Sequence, residues 1–177
     1  MNPVSFAHAI LQFEPDPKQI LLSRNELLRA RNNINTNIYF IERGSIRIFT
    51  EDGTTEQNIR FGYKHNIVVL MDSFLSGQPS SYFLQALKQT TLTVISKTAL
   101  TMFLSHHPEN ARTWQALLEE LILQLLEREK DLLTSSPAER YSRLLKRSPQ
   151  LFQEISNRHI ANYLRMSPET LSRLKKH

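Results

Sequence analysis

The side chains best suited to chemistry lie at the C-terminal end, in ISNRHIANYLRMSPETLSRLKKH (155–177). They are mostly cations and short polar groups. From Ser135 onward there are nine Lys/Arg against three Asp/Glu, a balance of +6. The preceding 134 residues hold thirteen against fourteen, a balance of −1, so the formal charge of +5 resides wholly in the last segment. A basic block of this kind is the footprint of phosphate binding rather than of bond-making chemistry.

Two short helices joined by a tight turn would position these groups. Ser156 is a good N-cap for the first helix, and Ile160, Ala161 and Leu164 give it an apolar face. Ser167 caps the second. Pro168 follows at the first helical position, where its fixed φ helps and its missing N–H would have lacked a partner anyway. Leu171 and Leu174 would pack the second helix on the first, leaving Glu169, Thr170, Ser172, Arg173, Lys175 and Lys176 on exposed faces. This is the helix-turn-helix pattern, whose second helix enters a DNA major groove. An ordinary helix pair with a solvated basic face would share the pattern, and the charge distribution favours the first reading.

Other chemistry finds little support. The chain has no cysteine, which excludes disulfides, thiolate zinc sites and cysteine nucleophiles. Of the six histidines only His65 falls in the central β-rich region, so a barrel metal site is not expected; His106 and His107 suit a solvated helix end. No nucleophile–base pair or phosphate loop occurs, and neither catalytic residues nor a cofactor is expected. There is no run of eighteen apolar residues, and MNPVSFAHAI lacks a signal-peptide pattern. No membrane partner and a cytoplasmic location are the expectations.

Upstream, residues 4–13 suit one amphipathic helix. Short β-rich runs then follow at hairpin spacing: 26–31, 37–43, 45–50, 56–61, 67–71, 82–88 and 91–96. Turn signals separate them at Gly44, Asp52-Gly53, Gly62 and Gly77. In SIRIFT, Ile46, Ile48 and Thr50 face one way, and Ser45, Arg47 and Phe49 the other. Many short strands without long helices between them predict a β-roll of sandwich or barrel type.

Residues 98–106 read as a short helix and 109–133 as a long one. Along the latter, Trp114, Leu118, Leu121, Leu125, Arg128 and Leu132 recur with heptad spacing. Leu117, Ile122, Leu126 and Leu133 form a second stripe. Two apolar faces imply two partners, the β-roll and the same helix of a second copy. Thr134 to Pro137 is a linker into a helix over 138–147. The expected fold class is α+β, with an effector-sensing roll (1–108), a dimerisation helix (109–134) and a helix-turn-helix domain (135–177).

That order, with IYFIERGSIRIFTEDG in the roll, the long helix before SPAERYSRLL, and HIANYLRMSPETLSRL at the end, resembles the Crp/Fnr (catabolite-activator-like) family of bacterial transcription regulators. The resemblance covers nearly the whole chain. It implies a jelly-roll-like sensor of the cyclic-nucleotide-binding type and a homodimer on a pseudo-palindromic double-stranded DNA site, with RNA polymerase a candidate further partner. It also implies base contacts from Glu169 and Arg173, a carboxylate accepting from cytosine and a guanidinium paired to guanine. Phosphate contacts would come from Ser156, Asn157, Ser167, Thr170, Lys175 and Lys176.

This chain departs from the family pattern in four places. Pro168 stands where members often have Arg, and Arg165 where the turn usually carries Gly; a non-Gly residue at positive φ there would cost roughly 1 kcal/mol. No closing β-hairpin wing is expected. In nucleotide-binding members a Gly-Glu pair takes the ribose and an Arg-Ser pair the cyclic phosphate. Here Val69 and Leu70 replace the first pair, Ser80 replaces the Arg, and Ser81 is retained. Val69, Leu70, Ser80, Ser81 and Tyr82 are therefore the candidate effector pocket. Leu accepts no hydroxyl bond and Ser offers no bidentate charge, so cyclic AMP and cyclic GMP are not expected to bind in the usual way. Helix N–H groups near Ser76 and Gly77 would greet an anion only weakly. The effector is another small molecule or none. The rival reading is a ligand-sensing dimer whose basic tail binds a protein partner.

Overall fold

A computed structural model describes residues 3–29 and 33–176. The chain divides into two compact units, Met1–Trp114 and Gln115–His177. The first opens with helix α1 (Pro3–Leu11), whose Phe6, Ala7 and Ile10 are completely buried. Among the described residues eight strands follow, all paired antiparallel, in two four-stranded sheets. One sheet has the order β1 (Lys18–Leu22), β8 (Thr90–Ile95), β3 (Ile38–Arg43), β6 (Ile67–Val69). The other runs β2 (Leu27–Arg29), β7 (Phe83–Ala86), β4 (Ser45–Asp52), β5 (Thr55–Tyr63). Helix α2 (Met71–Ser76) sits between β6 and β7, and α3 (Lys97–His106) follows β8.

Both sheets contribute to one apolar core. Leu22, Tyr39, Ile41, Val68 and Leu92 come from the first, and Ile46, Ile48, Leu84 and Ala86 from the second. Such interdigitation of two inner faces holds a sandwich closed. The one polar atom of Tyr39 is satisfied inside: Asn35 Nδ2 donates to its hydroxyl at 2.9 Å, and the hydroxyl returns a bond to Asn35 Oδ1 at 3.1 Å. Asn35 in turn donates its backbone N–H to Ser73 Oγ at 2.8 Å, fastening α2 to the loop before β3.

Three local features differ from the sequence expectations. KQILL (18–22), which is not among the β-rich runs expected from the sequence, forms a strand paired with β8 along five residues. Gly62 is not a turn residue but lies inside β5, where a Cβ would come within 2.5 Å of Val68 Cγ2. In β4 all of Ser45 to Phe49 are buried, because the second face is covered too. There Arg47 lies 3.9 Å over the Phe49 ring, donates to Gln85 at 2.8 Å and pairs with Glu56 at 2.7 Å.

Gly44, between β3 and β4, takes φ +97°, and a Cβ there would lie 2.6 Å from the Gln89 carbonyl oxygen. Gly53 also has positive φ, but nothing lies within 4 Å of its missing Cβ. Gly44→Ala should therefore lower the unfolding free energy by roughly 3 kcal/mol, strain and overpacking together. Gly53→Ala should cost only about 1 kcal/mol. Urea denaturation of the two variants checks the difference.

Candidate nucleic-acid interface and sensor cassette

The second unit contains most of helix α4 (Pro108–Leu133) and four short helices: α5 (Pro137–Arg147), α6 (Leu151–Glu154), α7 (Asn157–Tyr163) and α8 (Pro168–Leu174). Ser136 caps α5 by accepting from the Glu139 N–H at 3.3 Å. Leu144, Leu151, Ile155, Ile160, Ala161, Leu164 and Leu171 are buried and form the core of the small helices. Tyr141 and Phe152 meet edge to face at 5.5 Å.

On α8 Leu171 is completely buried and Leu174 half-buried, while Glu169, Ser172 and Arg173, and Lys175 and Lys176 just after the helix, are exposed. Ser167 Oγ accepts from the Thr170 N–H at 3.2 Å and lies as close to the Thr170 hydroxyl, leaving Thr170 half-buried. Ser156 occupies the N-cap position of α7, but its hydroxyl makes no capping bond. Asn157 accepts from Lys175 Nζ at 2.9 Å, so two of the predicted phosphate contacts already bridge α7 and α8. The carboxyl of Glu169 is held below its ordinary range, first by its own backbone N–H and then by Ser167 and Arg173. It stays ionised at neutral pH, an acceptor beside the donor Arg173.

Arg165, in the turn between α7 and α8, adopts φ +54°. The left-handed geometry that the family pattern assigns to Gly is thus kept by a non-Gly residue. Its N–H donates to the Asn162 carbonyl at 3.1 Å, and the Met166 N–H to the Ala161 carbonyl at 3.0 Å.

The heptad seam divides. Trp114 stacks on Phe6 at 5.9 Å and meets Phe74 at 6.1 Å, inside the first unit rather than on a partner-facing edge. Arg128 lies 3.7 Å over the Tyr163 ring, and burial lowers its pKa. Glu127, one residue before it, accepts from Arg143 at 2.8 Å. Between those ends Leu118 and Leu121 are half-buried, and Ile122, Leu125 and Leu126 are more than half exposed. Leu132 is also exposed.

The sequence reading overlooked an ion-pair junction between α4 and α5. Asp131, completely buried, accepts from Arg143 Nε at 2.8 Å and from Arg147 Nη2 at 2.5 Å. A signal was present: Glu127 and Asp131 on one helix, and Arg143 and Arg147 on the next, are each one turn apart. Burial pushes the Asp131 carboxyl up, but the bonds from Arg147 and Arg143 outweigh it and hold the pKa below the ordinary value.

In the first unit, Leu70 is buried in the roll core and Val69 ends β6. The Ser80 hydroxyl lies 3.0 Å from both carboxylate oxygens of Asp72, and the Ser81 N–H donates to the same carboxylate at 2.8 Å. Ser80 Oγ also accepts from the Tyr82 N–H at 3.1 Å, while the Tyr82 ring packs against the core. Donors expected to face a ligand are thus occupied by the chain's own carboxylate. Ser76 and Gly77 lie at the C-terminal end of α2, where carbonyls rather than N–H groups point outward, so they cannot greet an anion as expected. Among the described residues no helix is long and apolar enough to cross a membrane, and no cluster of His, Asp and Glu is arranged to hold a metal ion.

Residues 19–107 match the cyclic nucleotide-binding domain, so the chain belongs to that family. Its fold is that of the Crp/Fnr regulators. FixK2 from Bradyrhizobium japonicum superposes with a TM-score of 0.77 at 16% identity, over 91% of this chain and 83% of that one. A CooA mutant from Carboxydothermus hydrogenoformans gives 0.77 at 14%, covering 99% and 83% of the two chains. The c-di-GMP responsive regulator CLP of Xanthomonas campestris gives 0.69 at 18%, over 96% and 90%. No curated protein sequence matches the chain.

Because the folded-state pKa of Asp131 lies below its unfolded value, its contribution is present above the unfolded pKa and is lost as pH falls through the folded one. Asp131→Asn should cost about 3 kcal/mol at pH 7, leaving two arginines without their buried partner. The gap between variant and wild type should close on acidification below the ordinary carboxylate range, as pH-dependent chemical denaturation will read.

Proposed function

We propose that the chain is a homodimeric DNA-binding transcription regulator whose β-roll does not take cyclic AMP or cyclic GMP in the usual way. The observation that carries the first half is the division of α8: Leu171 is fully buried while Glu169, Arg173, Lys175 and Lys176 stand out on a domain with a +6 balance. A helix anchored by its apolar side and presenting an ionised carboxylate beside a guanidinium can read cytosine and guanine edges. Lys175, Lys176, Ser156, Asn157, Ser167 and Thr170 would meet the phosphates, with Lys175 and Asn157 doing so as a bonded pair.

The exposed Ile122, Leu125 and Leu126, flanked by the half-buried Leu118 and Leu121, support pairing of α4 with the same helix of a second copy. Two copies would set their α8 helices about 34 Å apart, one turn of duplex, on a pseudo-palindrome. For the roll, Leu70 in the core and Asp72 on the Ser80 and Ser81 donors leave neither a ribose acceptor nor a vacant phosphate cradle. CLP, of the same fold, is responsive to c-di-GMP, so an effector of other chemistry is compatible with this architecture.

Selection of bound sequences from random duplexes tests the reading, and two half-sites one helical turn apart are expected. Arg173→Ala should weaken binding to the selected duplex by roughly 1–3 kcal/mol; an equal loss on random DNA would make it a phosphate contact instead. Wild-type binding should fall steeply with salt. A salt-insensitive tail that selects no duplex would favour the protein-binding alternative. Leu121→Glu with Leu125→Glu should turn a dimer into a monomer in light scattering, and calorimetry should detect no micromolar binding of either cyclic nucleotide.

A further inference from the structure

Arg140, the fourth residue of α5, is 8% exposed and has no carboxylate partner in its hydrogen-bond set. Its guanidinium is spent on backbone carbonyls. Nε donates to Leu164 at 2.9 Å and Nη2 to Arg165 at 3.2 Å. Nη1 donates to Thr134 at 2.6 Å and to Ser135 at 3.0 Å. Four of the five N–H groups of an arginine are thereby used.

The acceptors fall in two places. Thr134 and Ser135 directly follow the last turn of α4; Leu164 and Arg165 form the end of α7 and the turn into α8. Carbonyls at a helix C-terminus lack intrahelical donors and carry the negative end of the dipole. One cation therefore finishes two helices at once. The turn it holds is the strained one, with Arg165 at φ +54°. A left-handed non-Gly residue persists where surrounding bonds over-determine it.

We propose that Arg140 is a positioning residue for α8. It ties the exit of α4 to the turn between α7 and α8, so the angle at which α8 is presented follows from where α4 ends. The proposal rests on the reading of α8 as the base-contacting helix and adds the group that fixes its pose. Lysine cannot replace it, because an ammonium on a flexible stem offers no planar fork to carbonyls on two sides.

The test compares the full-length wild type, Arg140→Lys and Asp131→Asn at a temperature where all three are folded. Asp131→Asn loosens the α4–α5 contact without touching the turn. Arg140→Lys should bind the duplex selected by wild type about tenfold more weakly while random-duplex binding changes by less than about threefold; Asp131→Asn should keep the wild-type ratio. Amide exchange should accelerate at Arg165, Met166 and Lys175 in Arg140→Lys alone. Retained discrimination in Arg140→Lys, or an equal loss in Asp131→Asn, would overturn the proposal. Should wild type select no duplex, the DNA reading fails. The exchange comparison then decides by itself: protection lost at the turn and along α8 upholds the clamp, and unchanged protection overturns it.

Discussion

The end of α4 depends on finding partners for several guanidinium groups that converge where few carboxylates are within reach. Arg128, Arg140, Arg143 and Arg147 lie around the end of α4 and the turn into α8, while Glu127 and Asp131 are the carboxylates that Arg143 and Arg147 meet. A buried unpaired cation is costly, so each must be matched by an acceptor or a π face. Asp131 takes two, Tyr163 supplies the face of its ring to Arg128, and helix-end carbonyls take Arg140. With these cations consumed inside, Arg173 on α8 and Lys176 just beyond it remain exposed. The interior arrangement thus determines which part of the basic block is presented outward.

The roll shows the same economy on a smaller scale. Its polar atoms near the core are closed on one another: Tyr39 with Asn35, Asn35 with Ser73, and Asp72 with Ser80 and Ser81. A carboxylate that accepts a hydroxyl and an amide satisfies donors that would otherwise require a ligand or water. The domain family is matched over residues 19–107, and in the segment between β6 and β7 the Ser80 and Ser81 donors meet the carboxylate of Asp72. The core itself packs on Leu, Ile, Val and Tyr side chains from both sheets.

How much could be read beforehand varied with the range of the interactions concerned. The strand runs around Ile38–Arg43, Ser45–Asp52 and Thr90–Ile95, the long helix, and the Ser167 cap were legible because alternation, helical period and capping are local signals. Strand β1 was missed because KQILL becomes a strand through its partner β8, 68 to 76 residues away in sequence. Gly62 was taken for a turn because its real role, making room for Val68 and Ile41, exists only across the sheet. Trp114 and Arg128 fit the heptad by spacing, yet each has a neighbour in its own chain that spacing cannot reveal.

By itself the sequence determined the period of each segment, the placement of charge in the last 43 residues and the apolar anchor of α8, since these follow from residue type and near-neighbour geometry. Only the tertiary structure decided which charged groups would be consumed internally. Asp72 on Ser80, Asp131 between Arg143 and Arg147, and Arg140 on four carbonyls are contacts between segments 5 to 25 residues apart. Their strength comes from burial and from donor geometry, quantities that a linear order of residues does not carry.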